Sequence, residues 1–152
     1  MRGQSLILLS WRGQGKQPNR IYLKDNKVLS IEIQLDYELT LEEVVDMYGP
    51  PEYIYAYFYG VESQGYEVKL DYPAQGLGFT SDTFPIRRKD YTVDVGVGVL
   101  SQDLLVTEVF YFAPTSMEGM LSDVFLQPSD RVEDYLTNGQ KWKGFGSVRL
   151  AE

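Results

Sequence analysis

Apolar residues recur with a period of two along much of this chain, and that spacing commits most of it to strands with one buried face. Over residues 66–72, Tyr66, Val68, Leu70 and Tyr72 alternate with Glu67, Lys69 and Asp71. Ile31, Ile33 and Leu35 alternate with Glu32, Gln34 and Asp36, and Val93, Val95, Val97 and Val99 share one side of residues 91–100. Strands are also expected over 5–11, 21–24, 27–35, 52–59, 77–80 and 104–112. Asp25-Asn26 joins two of them, and both residue types tolerate the positive φ of a type I′ hairpin turn. Pro73-Ala74-Gln75-Gly76 makes another turn. Connections this short predict an antiparallel meander.

Helices are few and locally encoded. Thr40-Leu41-Glu42-Glu43 is a capping box, in which Thr40 accepts from the Glu43 amide while Glu43 reaches back. Leu39 and Val44 are placed for a hydrophobic staple. Leu41, Val44, Val45 and Tyr48 fall on one helical face, Gly49 supplies the C′ position and Pro50-Pro51 forbids continuation. A helix is therefore expected over 41–48. Thr115-Ser116-Met117-Glu118 repeats the box, and Met117, Met120, Leu121 and Val124 repeat the face. A third short helix is expected over 130–136, stopped by Asn138-Gly139. Trp142-Lys143-Gly144-Phe145-Gly146 is an aromatic, glycine-rich tail that should dock on the body. The expected fold is α+β: one domain over 1–152, with an antiparallel sheet of about four to six strands and two or three short helices packed on it. A hydrophobic content of 43% suits a packed core.

Composition narrows the chemistry. The 152 residues include no cysteine and no histidine. Thiol nucleophiles, disulfides and thiolate or imidazole metal sites are thereby excluded, and so is the commonest general base. No metal site and no cofactor is expected. Net charge is −8, from 22 acidic and 14 basic residues, which disfavours nucleic acid as a partner. Arg87-Arg88-Lys89 is the one dense basic cluster and reads as a solvated turn. The apolar run Leu6-Ile7-Leu8-Leu9 is too short for a signal-peptide core or a membrane span. Acidic pairs at Glu42/Glu43, Asp90/Asp94 and Glu133/Asp134 lie at helix starts or beside turns, where the helix dipole favours them. They do not predict a hydrolase, and no enzymatic activity is expected.

The unusual feature is aromatic. Tyr53, Tyr55, Tyr57 and Tyr59 alternate with Ile54, Ala56 and Phe58, so all four share one strand face. One reading is an exposed strip for a ligand or protein partner. The other is packing, since tyrosine favours strands and keeps its hydroxyl wet. Gly96 and Gly98 leave one side of a strand nearly bare, to be filled by a helix, by large aromatic rings such as those of the tyrosine strip, or by a ligand.

The unit Leu39-Thr40-Leu41-Glu42-Glu43-Val44-Val45-Asp46-Met47-Tyr48-Gly49-Pro50-Pro51, a capped helix ending in Gly-x-Pro before a strand, resembles the element found in small bacterial envelope lipoproteins of the outer-membrane-assembly type and in the β-lactamase-inhibitor-like fold. A Tyr-Pro-x-x-Gly-Leu turn at 72–77 and a Trp-x-Gly-aromatic-Gly ending at 142–146 are similar to those of uncharacterised bacterial lipoproteins. The resemblance implies a helix-on-antiparallel-sheet fold, an extracytoplasmic location in the cell envelope and a protein-binding role, with no catalytic residues. This sequence lacks the lipobox cysteine, so lipid anchoring is not expected. The functional expectation is a non-catalytic protein-interaction or scaffold domain with an unknown protein partner. The alternative is a small-ligand or glycan-binding module that uses Tyr53, Tyr55, Tyr57 and Tyr59.

Overall fold

The computed structural model describes residues 6–13, 17–58, 66–82 and 97–150. Strands β1 (Leu6–Trp11), β2 (Asn19–Lys24) and β3 (Lys27–Gln34) precede helix α1 (Leu41–Tyr48). Strands β4 (Tyr53–Phe58), β5 (Tyr66–Tyr72) and β6 (Leu77–Asp82) follow, then β7 (Val97–Leu100) and β8 (Glu108–Phe112). Helices α2 (Met117–Gly119) and α3 (Ser129–Asn138) flank a π-helical turn, and β9 (Gly146–Arg149) comes last.

Seven strands form one sheet in the order β1-β2-β3-β8-β6-β5-β4, every neighbour antiparallel, while β7 and β9 form a separate two-stranded ribbon. The α+β class with short helices is as expected, but the main sheet exceeds four to six strands. It is also not a single meander. Two three-stranded meanders are stitched together by β8, which pairs with β3 on one side and β6 on the other. Short connections fix pairing within each meander; the join between them is non-local.

Local chemistry sets the element ends. Asp25 and Asn26 both have positive φ, 51° and 62°, as the two-residue hairpin requires. Around α1 the capping box is complete: the Glu43 amide donates to Thr40 Oγ1 at 3.3 Å, and the Thr40 amide donates to Glu43 Oε2 at 2.8 Å. Gly76 is left-handed, and a Cβ there would lie 2.2 Å from the Phe112 carbonyl oxygen. At α2 the cap sits one residue later than the Thr115 box implies, with Ser116 Oγ accepting from the Gly119 amide. Helix α3 runs longer than 130–136 at both ends. The expected strand over 104–112 starts only at Glu108. Its first residues instead serve the start of α1: the Leu41 amide donates to Leu104, and the Val106 amide to Leu39.

Each face of the sheet has its own cover. On one, Leu41 and Val44 of α1 are fully buried against Ile54, Val68, Leu70, Phe79 and Val109. Leu39, the staple residue, lies in the same core, and Trp142 and Phe145, edge to face with each other, pack against that core, so the tail docks as expected. Gly98 packs there too: a Cβ on it would meet Leu150 Cδ2 at 3.0 Å and the Tyr66 ring at 3.3 Å. Leu150 and an aromatic ring thus fill the bare side at Gly98, and the ring comes from β5 and not from the 53–59 strip. Gly96 and the first part of the expected 91–100 strand lie outside the described residues. On the opposite face, Met117, Met120 and Leu121 pack with Tyr53, Phe112, Phe125, Val132 and Tyr135.

Candidate functional site

Between that second face and the α2–α3 segment lies a cleft of about 820 Å³. Period two builds its floor. Tyr55 and Tyr57 of β4, Lys69 and Asp71 of β5, Thr80 of β6, Phe110 of β8, Glu32 of β3 and Tyr22 of β2 all point the same way through the register. Phe125, Arg131, Asp134 and Tyr135 form the opposite wall.

The tyrosine strip divides across this cleft. Tyr53 is half-buried against the methionine cluster of α2. Tyr55 is buried, stacked on Tyr135 with ring centroids 3.9 Å apart, and its hydroxyl donates to Asp134 at 3.3 Å. Tyr57 is half-buried; its hydroxyl donates to Glu67 at 2.7 Å, and the Lys69 ammonium sits 5.7 Å from its ring centroid. Tyr59 lies outside the described residues. The strip is therefore not an open platform: α2 and α3 cover its first part, and Tyr55 and Tyr57 are presented to the cleft.

Polar residues around the tyrosines form a network. Arg20 pairs with Glu32 at 2.5 Å, and Lys69 pairs with Glu67 at 3.2 Å. Gln34 Nε2 donates to Glu108, and Tyr135 donates to Asp71 at 2.9 Å. Burial, a hydrogen bond to Glu32 and the charge of Glu32 hold the Glu108 carboxyl well above its ordinary range. Burial pushes Asp71 up to about 6, against the opposing pull of the Tyr135 hydroxyl and Lys69. Burial works to lower Lys69, but Glu67, Tyr57 and Asp71 outweigh it and the ammonium is stabilised.

One hydroxyl stands outside the network. Thr80 is 3% exposed, and its Oγ1 finds no hydrogen-bond partner among the described residues. It sits on the cleft floor between Lys69 and Glu108, its neighbours across β5 and β8.

A carboxyl pair with one raised pKa invites comparison with glycoside hydrolases. Those enzymes set their two carboxyls about 5–9 Å apart across an open cleft, whereas Glu32 is paired with Arg20 and Glu108 accepts from Gln34, so both belong to the polar network of the sheet. Among the described residues no group of acidic side chains is arranged to hold a metal ion. Of the acidic pairs read from sequence, Glu42, Glu43 and Glu133 are exposed, Asp134 bonds Tyr55 and Asn138, and Asp90/Asp94 lie outside the described residues. Glu32, Glu67, Lys69, Asp71, Thr80 and Glu108 escape sequence reasoning as site residues, because strand pairing alone brings them together. The one signal in sequence is that charged residues alternate along strands on which aromatic residues share the same face.

Comparison with protein-family models, with curated proteins and with solved structures returns no match to this chain.

Proposed function

We propose that this domain is a non-catalytic binding module that takes a small, neutral, polyhydroxylated ligand, such as a saccharide, in the cleft beneath α2 and α3. The observation that carries this reading is Thr80, a buried hydroxyl without a hydrogen-bond partner among the described residues, on the floor of a roomy cleft lined by both apolar and polar side chains. Charge supports neutrality. Arg20 with Glu32 and Lys69 with Glu67 are already paired, Asp71 and Asp134 accept from Tyr135 and Tyr55, and the Glu108 carboxyl is held above its ordinary range. A charged guest would add an uncompensated charge in a partly desolvated space. A sugar's hydroxyls need only donors and acceptors, and its C–H faces suit rings such as Tyr57 and Phe110.

Isothermal titration with maltose, cellobiose and chitobiose, and with glutamate and putrescine as charged probes, tests the reading. At least one disaccharide should bind, and Thr80→Val should weaken it about tenfold. Binding of only the charged probes, or binding that ignores Thr80→Val, would sink it.

A protein-interaction role is the second reading, and β1 favours it: its large apolar side chains are exposed. An extracytoplasmic envelope location belongs to the same proposal, supported by the resemblance of the Leu39 to Pro51 unit. Fractionation of a tagged chain in its native host checks it, and recovery in the cytosol would end it.

A further inference from the structure

The two edges of the seven-stranded sheet are treated differently. At the far edge, β4 is blunted by Gln140, which exchanges two backbone hydrogen bonds with Ile54 at 2.7 and 2.8 Å. At the near edge, β1 pairs with β2 alone, and no strand or bridge among the described residues covers its outer side. β1 reads Leu-Ile-Leu-Leu-Ser-Trp, without a charge, a proline or a bulge. Leu6, Ile7, Leu8, Leu9 and Trp11 are each between 42% and 54% exposed. A regular, apolar, open edge is what folded proteins normally avoid, because its free N–H and C=O groups template another strand.

Charge indicates what covers it. Residues 1–34 contain six basic and two acidic side chains, whereas residues 35–152 contain eight basic and twenty acidic ones. Arg12 lies just beyond one end of β1, and Lys24 and Lys27 stand beside the other, because Leu6 pairs with Lys24 and Lys24 with Lys27. Two-fold pairing of β1 with a second copy would turn Arg12 of one protomer toward Lys24 and Lys27 of its partner, so like charges meet at both ends. An extended segment with acidic flanks instead meets opposite charge at both ends.

We propose that β1 accepts an extended segment of another protein, apolar at its centre and acidic at both flanks, as an eighth antiparallel strand. This rests on the protein-interaction reading; within β1 only Leu6 also borders the cleft. Backbone hydrogen bonds supply the pairing, alternate apolar side chains cover Leu6 to Trp11, and the flanks select among partners.

Three synthetic peptides test it, sharing one alternating valine–threonine core and flanked by glutamate, lysine or serine. Fluorescence polarisation should show the glutamate-flanked peptide binding about tenfold more tightly than the lysine-flanked one at low salt, with the gap closing as salt rises. Binding should protect the β1 amides from hydrogen exchange. Arg12→Glu with Lys24→Glu should reverse the preference while leaving the fold intact, and Leu8→Lys should weaken all three peptides. Equal binding of the three overturns the acidic-flank assignment. A stable dimer with β1 amides protected before any peptide is added also overturns it, yet keeps β1 as an interaction surface. Binding of phosphatidylserine vesicles but of no peptide assigns the edge to a membrane instead. A monomer that binds neither removes both this proposal and the protein-interaction reading.

Discussion

A buried hydroxyl without a partner is costly, because water served both its proton and its lone pairs before folding. Thr80 Oγ1 has no partner among the described residues. Thr80→Val keeps the shape and removes the unmet group, so it should stabilise the unliganded domain by about 1 kcal/mol while weakening the ligand. Urea unfolding of both variants without ligand checks this; no gain would mean that water already serves the hydroxyl. Gly76 makes the opposite case. It combines a left-handed backbone with a carbonyl oxygen where a Cβ would sit. Gly76→Ala should therefore cost about 3 kcal/mol by the same measurement. Sequence marked Gly76 as a turn residue because the Pro-to-Gly pattern is contiguous. It could not mark Thr80, Glu32 or Glu108, because nothing near them in the chain says which strand each will face.

Elements divide along the same line. Helix α1 was legible in full, from 41 to 48, because its cap, its buried face and its stop all lie within a dozen or so residues. Removing the cap hydroxyl should cost the expected amount for an N-cap: Thr40→Ala loses about 1 kcal/mol in thermal or urea unfolding. Helix α3 was legible as a helix but not as a lid. It buries no side chain fully, and its hold on the sheet includes the Tyr55–Tyr135 stack and the Tyr135–Asp71 hydrogen bond. Tyr135→Phe keeps the stack and leaves Asp71 without its donor. It should cost about 2 kcal/mol at neutral pH, raise the Asp71 pKa further and speed hydrogen exchange in α3 before the rest of the sheet. Uniform exchange across the chain would show that α3 is held by other contacts.

At the scale of the whole molecule, the strands were mostly visible and their order was not. Period two reveals that a strand buries a face; it does not reveal that β8 will join two meanders, or that a second layer will cover the charged side. That cover turns an alternating polar face into a set of buried carboxyls, with a consequence for stability. Asp71 has a folded pKa of about 6 against an ordinary 3.8, and Glu108 is raised as well. A raised carboxyl binds its proton more tightly in the folded chain, so its contribution to stability is greatest at low pH and falls as pH rises through the interval between the two values. For Asp71 that fall is on the order of 3 kcal/mol between about pH 4 and pH 6. The groups facing it are Tyr135 from α3 and Lys69 from its own strand, and both act to limit the rise. Glu43, whose carboxylate is held below its ordinary range by the Thr40 backbone and side chain, pulls the other way, so the raw profile mixes opposing slopes. Comparison with Asp71→Asn separates them. Asparagine keeps an acceptor for Tyr135 and cannot titrate, so the difference in unfolding free energy between the two proteins should change by the Asp71 amount across that interval and stay flat above about pH 7. A difference that is constant from pH 4 to about pH 7 would mean that Asp71 titrates normally, and that α3 does not seal this side of the sheet from water.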